Sequence, residues 1–127
     1  MGLILNLNTQ IWSYTNQGEL KLERTLLGHS LGVVSTVIDP KGILFASSSL
    51  DSNISIWDLD TGEKKKSIDS GPLECWTVAF TRDCEHILSG SADGKVEMFG
   101  VESGKKEKSL ETKGKMALSL ATSPDGK

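Results

Sequence analysis

Short runs of β-branched and other apolar residues, separated by turn sequences, occupy the middle of the chain. Four runs follow one another, and each is closed by aspartate, asparagine, proline or glycine, which favour turns. They span residues 33–38, 43–48, 54–57 and 64–68. The inner runs carry apolar residues on both faces, as in a sheet covered on both sides, whereas the lysines of the last run are typical of an exposed edge strand. The pattern predicts a unit of four short strands.

This unit is repeated at a displacement of 42 residues, so that residues 27–68 correspond position for position to residues 69–110. Ile56-Trp57-Asp58, for example, falls on Met98-Phe99-Gly100. A third copy begins near residues 123–126, where a turn sequence of the first repeat recurs. Periods of about 40–45 residues with four strands each are typical of propeller blades. The sequence therefore predicts an all-β fold, a partial β-propeller.

The repeat divides the chain into four parts. Residues 27–68 and 69–110 are complete repeats. We expect residues 1–26 to be the remnant of a leading blade with only its third and fourth strands, and residues 111–127 to hold the first strand of a truncated repeat. Because a closed propeller has about 4–8 blades, we expect the chain to be a fragment, an incomplete gene model or a truncated isoform. Open blade faces would make it prone to aggregation.

The first repeat resembles the signature of the WD-repeat family. Gly28-His29 precedes the first strand, Asp51 lies in the turn after the second, and Trp57-Asp58 ends the third. The resemblance implies a seven-bladed propeller and a structural, hydrogen-bonded network within the repeat. The members of this network would be His29, Ser47, Asp51 and Trp57.

The second repeat departs from that signature. Gly71 stands in place of the histidine, and Phe99-Gly100 stands in place of tryptophan and aspartate. Only Ser89 and Asp93 remain of the network. We therefore expect this degenerate repeat to depend on packing more than on the network.

A closer resemblance covers the chain from about Leu26 to its end. Segments 47–51, 66–69, 71–72, 76–77, 79–80 and 99–107 are similar to the WD-repeat subunits of Ski (superkiller) complexes, a family whose metazoan members are called WD-repeat protein 61. The resemblance implies a non-catalytic scaffold located in the nucleus and cytoplasm. Its partners would be a helicase and a tetratricopeptide-repeat protein of the Ski complex, which feeds mRNA to the exosome, and subunits of the Paf1-type transcription elongation complex.

Charge and composition narrow the classes of partner. The chain of 127 residues has a net charge of −3, and nucleic-acid binding by phosphate contacts requires a basic surface, so we expect no direct nucleic-acid binding. No stretch approaches the roughly 20 apolar residues of a membrane helix. The two cysteines, Cys75 and Cys84, lack the spacing of a metal site, and we expect reduced thiols and no cofactor.

Several segments resemble motifs of binding, modification or catalytic sites, but each lacks a feature that the motif requires. Residues 100–106 lack the spacing and the hydroxyl residue of a phosphate-binding loop, and residues 58–62 lack the later ligands of a calcium loop. The glycosylation sequon at Asn53 overlaps a predicted strand. His86 has no serine or cysteine nucleophile evident from spacing. We expect no enzymatic activity.

Two alternative functions stay open. A generic peptide-recognising WD module, such as a ubiquitin-ligase substrate receptor, would need basic or aromatic residues in the turns at 28–32, 50–53, 69–74 and 92–95, and these carry no arginine. The other alternative is a truncated product with no independent function.

Overall fold

The computed structural model describes residues 2–5, 8–71, 75–114, 116–117 and 119–126. Within these residues the chain forms eleven strands and no helix, which confirms the all-β fold class. The strands are β1 (Gly2–Leu5), β2 (Asn8–Tyr14), β3 (Leu20–Leu27), β4 (Val33–Ile38), β5 (Leu44–Ser49), β6 (Asn53–Asp58), β7 (Lys64–Asp69), β8 (Cys75–Phe80), β9 (His86–Ser91), β10 (Lys95–Gly100) and β11 (Lys106–Glu111).

Consecutive strands pair antiparallel in three sheets. The first sheet contains β1 to β3, the second β4 to β7 and the third β8 to β11, each in the order of the sequence. Since consecutive strands run in opposite directions, the β4–β5 and β6–β7 turns lie at one end of the second sheet. The β5–β6 turn and the entry to β4 lie at the other end. We name these the lower and the upper end.

Burial separates the inner strands from the outer ones. Residues 45–49 of β5 and 54–57 of β6 are all buried, although successive side chains point to opposite faces. The second sheet is therefore covered on both sides. In contrast, every residue of β11 is exposed, and only Ile68 of β7 is buried. The predicted inner strands and edge strands are confirmed.

The sheets pack face to face through two apolar clusters. Phe45 and Trp57 of the second sheet stack with their ring centroids 6.0 Å apart, in a cluster with Ile11 and Leu26 of the first sheet. A larger cluster joins the second sheet to the third. Its buried residues are Ala46, Ile54, Ile56, Ile68, Cys75, Val78, Phe80, Ile87 and Phe99. Since burying one large apolar side chain contributes about 1.5–3 kcal/mol, these clusters hold the repeats together.

The leading sheet has one strand more than we expected. The sequence predicted only a third and a fourth strand within residues 1–26, but Gly2–Leu5 forms β1 and pairs with β2 from Leu5↔Asn8 to Gly2↔Ile11. The prediction was wrong because the first ten residues depart from the repeat pattern. Two residues are enough to connect the strands of a hairpin, so there is room for a third strand before β2.

The described residues after Glu111 form no strand, contrary to the first strand expected within 111–127. They nevertheless lie along the third sheet: Ala117 N donates to Ser91 O at 3.1 Å, and Thr122 Oγ1 donates to Phe80 O at 2.9 Å. The turn at 123–126 repeats a backbone hydrogen bond of the β4–β5 turn: Gly126 N donates to Ser123 O at 3.1 Å. A strand is defined by its ladder, and within the described residues none pairs with this segment.

Candidate functional site

The four residues predicted to form a network come from four different positions of the first repeat, which forms the second sheet. His29 lies in the connection between β3 and β4, and Ser47 lies in the middle of β5. Asp51 occupies the tight turn between β5 and β6, and Trp57 lies near the end of β6. The β5–β6 register places Trp57 opposite Phe45, two residues from Ser47 on the same face. The sheet thus directs the indole toward the serine.

The structure brings all four side chains together in one chain of hydrogen bonds. Trp57 Nε1 donates to Ser47 Oγ at 3.0 Å, and His29 Nε2 lies 2.7 Å from the same hydroxyl oxygen. His29 Nδ1 lies 3.2 Å from Asp51 Oδ2. The carboxylate accepts the Nδ1 proton, so a neutral imidazole accepts the hydroxyl proton of Ser47 at Nε2. Burial lowers the pKa of His29 despite the adjacent carboxylate of Asp51, which favours this neutral form.

Asp51 extends the network to the backbone of two loops. Its carboxylate accepts the amide N–H of Ser30 at 2.9 Å and that of Asn53 at 2.9 Å. Burial opposes ionisation of Asp51, but these amide bonds, together with His29, hold the pKa of Asp51 below its ordinary value. One carboxylate therefore fixes the β5–β6 turn and the connection before β4 relative to each other.

The order of Asp51, His29 and Ser47 is that of a catalytic triad, but the serine is not accessible. Its relative exposure is 0%, and its oxygen already accepts the indole N–H of Trp57. A nucleophilic serine must reach a substrate carbonyl beside donors for the oxyanion. The geometry supports a structural role for this network.

Lys64 closes the network from outside. Its Nζ lies 5.1 Å from the centroid of the Trp57 ring and donates to Gly28 O at 3.1 Å. A cation over an indole face stabilises by about 0.5–1 kcal/mol at an exposed position. Sequence reasoning missed this contact, because a register shift between Ile56 and Trp57 is what sets Lys64 opposite Trp57.

In the third sheet the two remaining positions do not form an equivalent network. Ser89 Oγ lies 2.8 Å from the thiol of Cys75, while Asp93 accepts the Lys95 amide at 3.2 Å and the Ser91 hydroxyl. Ser89 and Asp93 thus have different partners. Burial raises the pKa of Cys75, which keeps its thiol neutral. Nothing in the sequence pointed to Cys75 as the partner of Ser89.

One group of described side chains has the composition of a metal site. Ligand atoms of Asp83, Glu85 and His86 lie within 4.8 Å of one another at the lower end of the third sheet. Hydrogen bonds within the protein account for this grouping: Asp83 accepts the Thr81 hydroxyl and the Glu85 amide, which lower its pKa, and His86 Nε2 lies 2.7 Å from Glu107 Oε2. The side chains of Asp83 and His86 thus have protein partners, and that of Glu85 is exposed.

Three antiparallel sheets that pack face to face and repeat in sequence define a propeller-type protein. Repeat proteins of this kind use their extended surfaces for binding. The family described as WD domain, G-beta repeat matches residues 20–58 and 63–99. The chain therefore belongs to the WD-repeat family, as a partial WD β-propeller. Members of this family are typically non-catalytic scaffolds for protein–protein interactions. Each match covers the last strand of one sheet and the first three strands of the next.

The chain is also similar to several longer WD-repeat proteins. It is 44% identical over 115 residues to WD repeat-containing protein SL1-17 of Schistosoma mansoni, which covers 91% of this chain and 38% of that protein. It is 32% identical over 123 residues to WD repeat-containing protein VIP3 of Arabidopsis thaliana, covering 86% and 38%. Superkiller complex protein 8 of Dictyostelium discoideum is 35% identical over 77 residues, covering 60% and 26%. The chain thus spans about two fifths of the length of the first two relatives.

Within the described residues there is no helix of the length and apolar character needed to span a membrane.

Proposed function

We propose that the chain acts as a non-catalytic scaffold in a Ski-type complex for mRNA decay and in a Paf1-type transcription elongation complex. The partners in the first would be a helicase and a tetratricopeptide-repeat protein, and the site of action would include cytoplasm and nucleus. The similarity to Superkiller complex protein 8 supports the first assignment. Both assignments are supported by the segments that resemble this family, 47–51, 66–69, 71–72, 76–77, 79–80 and 99–107.

The observation that carries a scaffold function is that side chains hydrogen-bond to the backbone of the turns at both ends of the sheets. At the lower end Asp39 accepts the Ile43 amide at 2.8 Å, and Asp58 accepts the Thr61 amide at 2.9 Å. At the upper end Asp51 accepts the amides of Ser30 and Asn53. Side chains that bond to their own turns fix the backbone there. A partner then meets an ordered surface and loses little free energy in ordering it.

Each end also carries an exposed apolar side chain that a partner could cover. Leu31 at the upper end is 50% exposed, and Ile43 at the lower end is 57% exposed. Aliphatic side chains at the centre of an interface contribute to binding when a partner excludes water from them. The two residues therefore form a matched pair for locating the partner surface.

The experiment measures binding of the chain to a purified pair of Ski helicase and tetratricopeptide-repeat protein, and separately to a Paf1-type complex. The variants Leu31→Glu and Ile43→Glu are compared with the unchanged chain, after circular dichroism shows that each is folded. We expect one variant to lose affinity at least about tenfold, or roughly 1.4 kcal/mol, while the other keeps it. A folded chain that binds neither complex contradicts the proposal.

A further inference from the structure

A groove of about 510 Å³ lies between the lower ends of the second and third sheets. One wall is the β4–β5 turn with the start of β5, and the other is formed by the β8–β9 and β10–β11 turns. Both walls belong to four-stranded sheets that pack on each other through the larger apolar cluster. The volume lies within the roughly 300–1,000 Å³ that ligand sites in proteins occupy. The groove can therefore hold several side chains of a partner.

Apolar side chains from both sheets line the groove. Ile43 of the second sheet is 57% exposed. Leu44 and Val101 are partly buried, because they also pack against the larger apolar cluster. Cys84 contributes a half-buried side chain from the third sheet. A partner that covers Ile43 removes a large apolar side chain from water, which favours association.

Hydrogen bonds hold the turns of both walls in place. Val101 N donates to Glu85 O at 2.9 Å, which joins the two turns of the third sheet. On the second sheet Asp39 N donates to Leu44 O at 2.9 Å, and the Asp39 carboxylate accepts the Ile43 amide at 2.8 Å. A groove that is already formed loses little free energy in ordering when a partner binds.

Negative charge is concentrated at this groove. Of the described residues that line it, five carry a carboxylate and one is a lysine, whereas the whole chain has a net charge of −3. Four of the carboxylates are exposed, those of Asp83, Glu85, Glu102 and Glu107. Asp83 and Glu107 have protein partners. Within the described residues no ion pair holds the carboxylates of Glu85 and Glu102, so these two are available to a cation from outside.

We infer that this groove docks a basic segment of a partner protein, in which an arginine or lysine side chain lies beside an aliphatic one. The cation would lie against Glu85 and Glu102, and the aliphatic side chain would cover Ile43. Opposite charges across a contact orient the partner and exclude partners of the wrong charge. The inference rests on the proposed scaffold function and adds to it the position and the chemistry of one partner surface.

A peptide selection tests this chemistry without either complex. Cys84 lines the groove, and the other thiol of the chain, that of Cys75, is 1% exposed. A phage-displayed library of random short peptides is selected on the unchanged chain, and peptides that also bind the chain alkylated at Cys84 with a bulky maleimide are discarded. This step selects for the groove and not for charge. We expect the remaining peptides to combine arginine or lysine with leucine, isoleucine or valine.

Charge-reversed variants test the part played by Glu85 and Glu102. Their double variant, Glu85→Lys with Glu102→Lys, should bind the selected peptides about tenfold more weakly in fluorescence anisotropy, because like charges then face each other across the contact. The matched control is Glu19→Lys with Glu111→Lys, which changes the net charge equally at exposed positions outside the groove. It should keep the affinity. Circular dichroism shows beforehand that each variant is folded.

Protection of Cys84 gives a second measurement that needs no variant. At a peptide concentration of about ten times Kd, reaction of Cys84 with a disulfide reagent should slow about tenfold, because only the unoccupied chain reacts. A slower reaction when the chain itself is concentrated would overturn the inference, since the groove would then hold a second copy.

Three results of the selection would also overturn the inference: no groove-specific peptide, selected peptides that are acidic or uncharged, or equal affinity of the two double variants. Binding of the two complexes is measured separately, so none of these results decides the proposed function.

Discussion

Trp57 donates its indole N–H to Ser47 Oγ, 3.0 Å away on the neighbouring strand, and this bond links the apolar stack of the first interface to the polar network. The serine hydroxyl also lies 2.7 Å from His29 Nε2. One buried oxygen therefore satisfies two ring nitrogens. Removing it leaves both without a partner in a site that excludes water.

We expect Ser47→Ala to lower the free energy of unfolding by about 2–3 kcal/mol, because an unsatisfied buried polar group costs roughly 1–3 kcal/mol. Urea unfolding followed by tryptophan fluorescence measures the change. The matched control is Ser89→Ala, which removes the same hydroxyl 42 residues later and affects only the thiol of Cys75, which keeps the carbonyl of Thr77 as a partner. Equal losses in the two variants would refute a special role for the Ser47 network.

The neutral state of His29 makes stability depend on pH. Its pKa in the folded chain lies below the ordinary value of 6.5, so the unfolded chain binds more protons between the two values. The contribution of His29 is therefore complete above about pH 6.5 and is lost as the pH falls through the folded pKa. Free energies of unfolding measured from pH 8 to pH 5 should decline, and His29→Gln should flatten the decline. A similar flattening by His86→Gln would contradict the prediction, because it would show that His29 is not the residue responsible for the decline.

The two cysteines should differ sharply in reactivity. Cys75 is 1% exposed, and burial raises the pKa of its thiol, whereas Cys84 is half-buried at the surface. Only the thiolate attacks a disulfide reagent. At pH 8 the native chain should release one equivalent of thionitrobenzoate rapidly and the second only in denaturant. Cys84→Ser should remove the rapid phase, and a rapid phase that survives in Cys84→Ser would contradict the prediction.

Repetition made most of the fold predictable. The bounds of β4 agree with the predicted run, and the other strands of the second sheet agree to within one residue, because each run ends at a turn that the sequence marks clearly. The network of His29 was identified by position within the repeat. Where the repeat pattern failed, prediction failed too. The sequence of Gly2–Leu5 does not follow the repeat pattern, so this strand was not predicted.

Side-chain contacts between neighbouring strands of one sheet were the other part that the sequence did not reveal. Lys64 over Trp57 depends on a bulge between β6 and β7 that shifts the register there. The pairing of Cys75 with Ser89 depends on where the first strand of the third sheet begins. Both follow from backbone geometry that the order of apolar and polar residues does not encode.

Cys84 occupies a position that glycine holds in the two equivalent turns. Its φ is 63°, and Gly42 and Gly126, 42 residues before and after it, have φ of 71° and 76°. A side chain in this left-handed region costs about 1–2 kcal/mol. Replacement by glycine removes this cost, but part of the gain is offset because glycine loses more conformational freedom on folding. We therefore expect Cys84→Gly to raise the free energy of unfolding by about 0.5–1 kcal/mol in urea. The matched control is Arg82→Gly, in the same turn at negative φ, which should lower it. Stabilisation of equal size by both variants would mean that the turn gains from flexibility and that φ is not the cause.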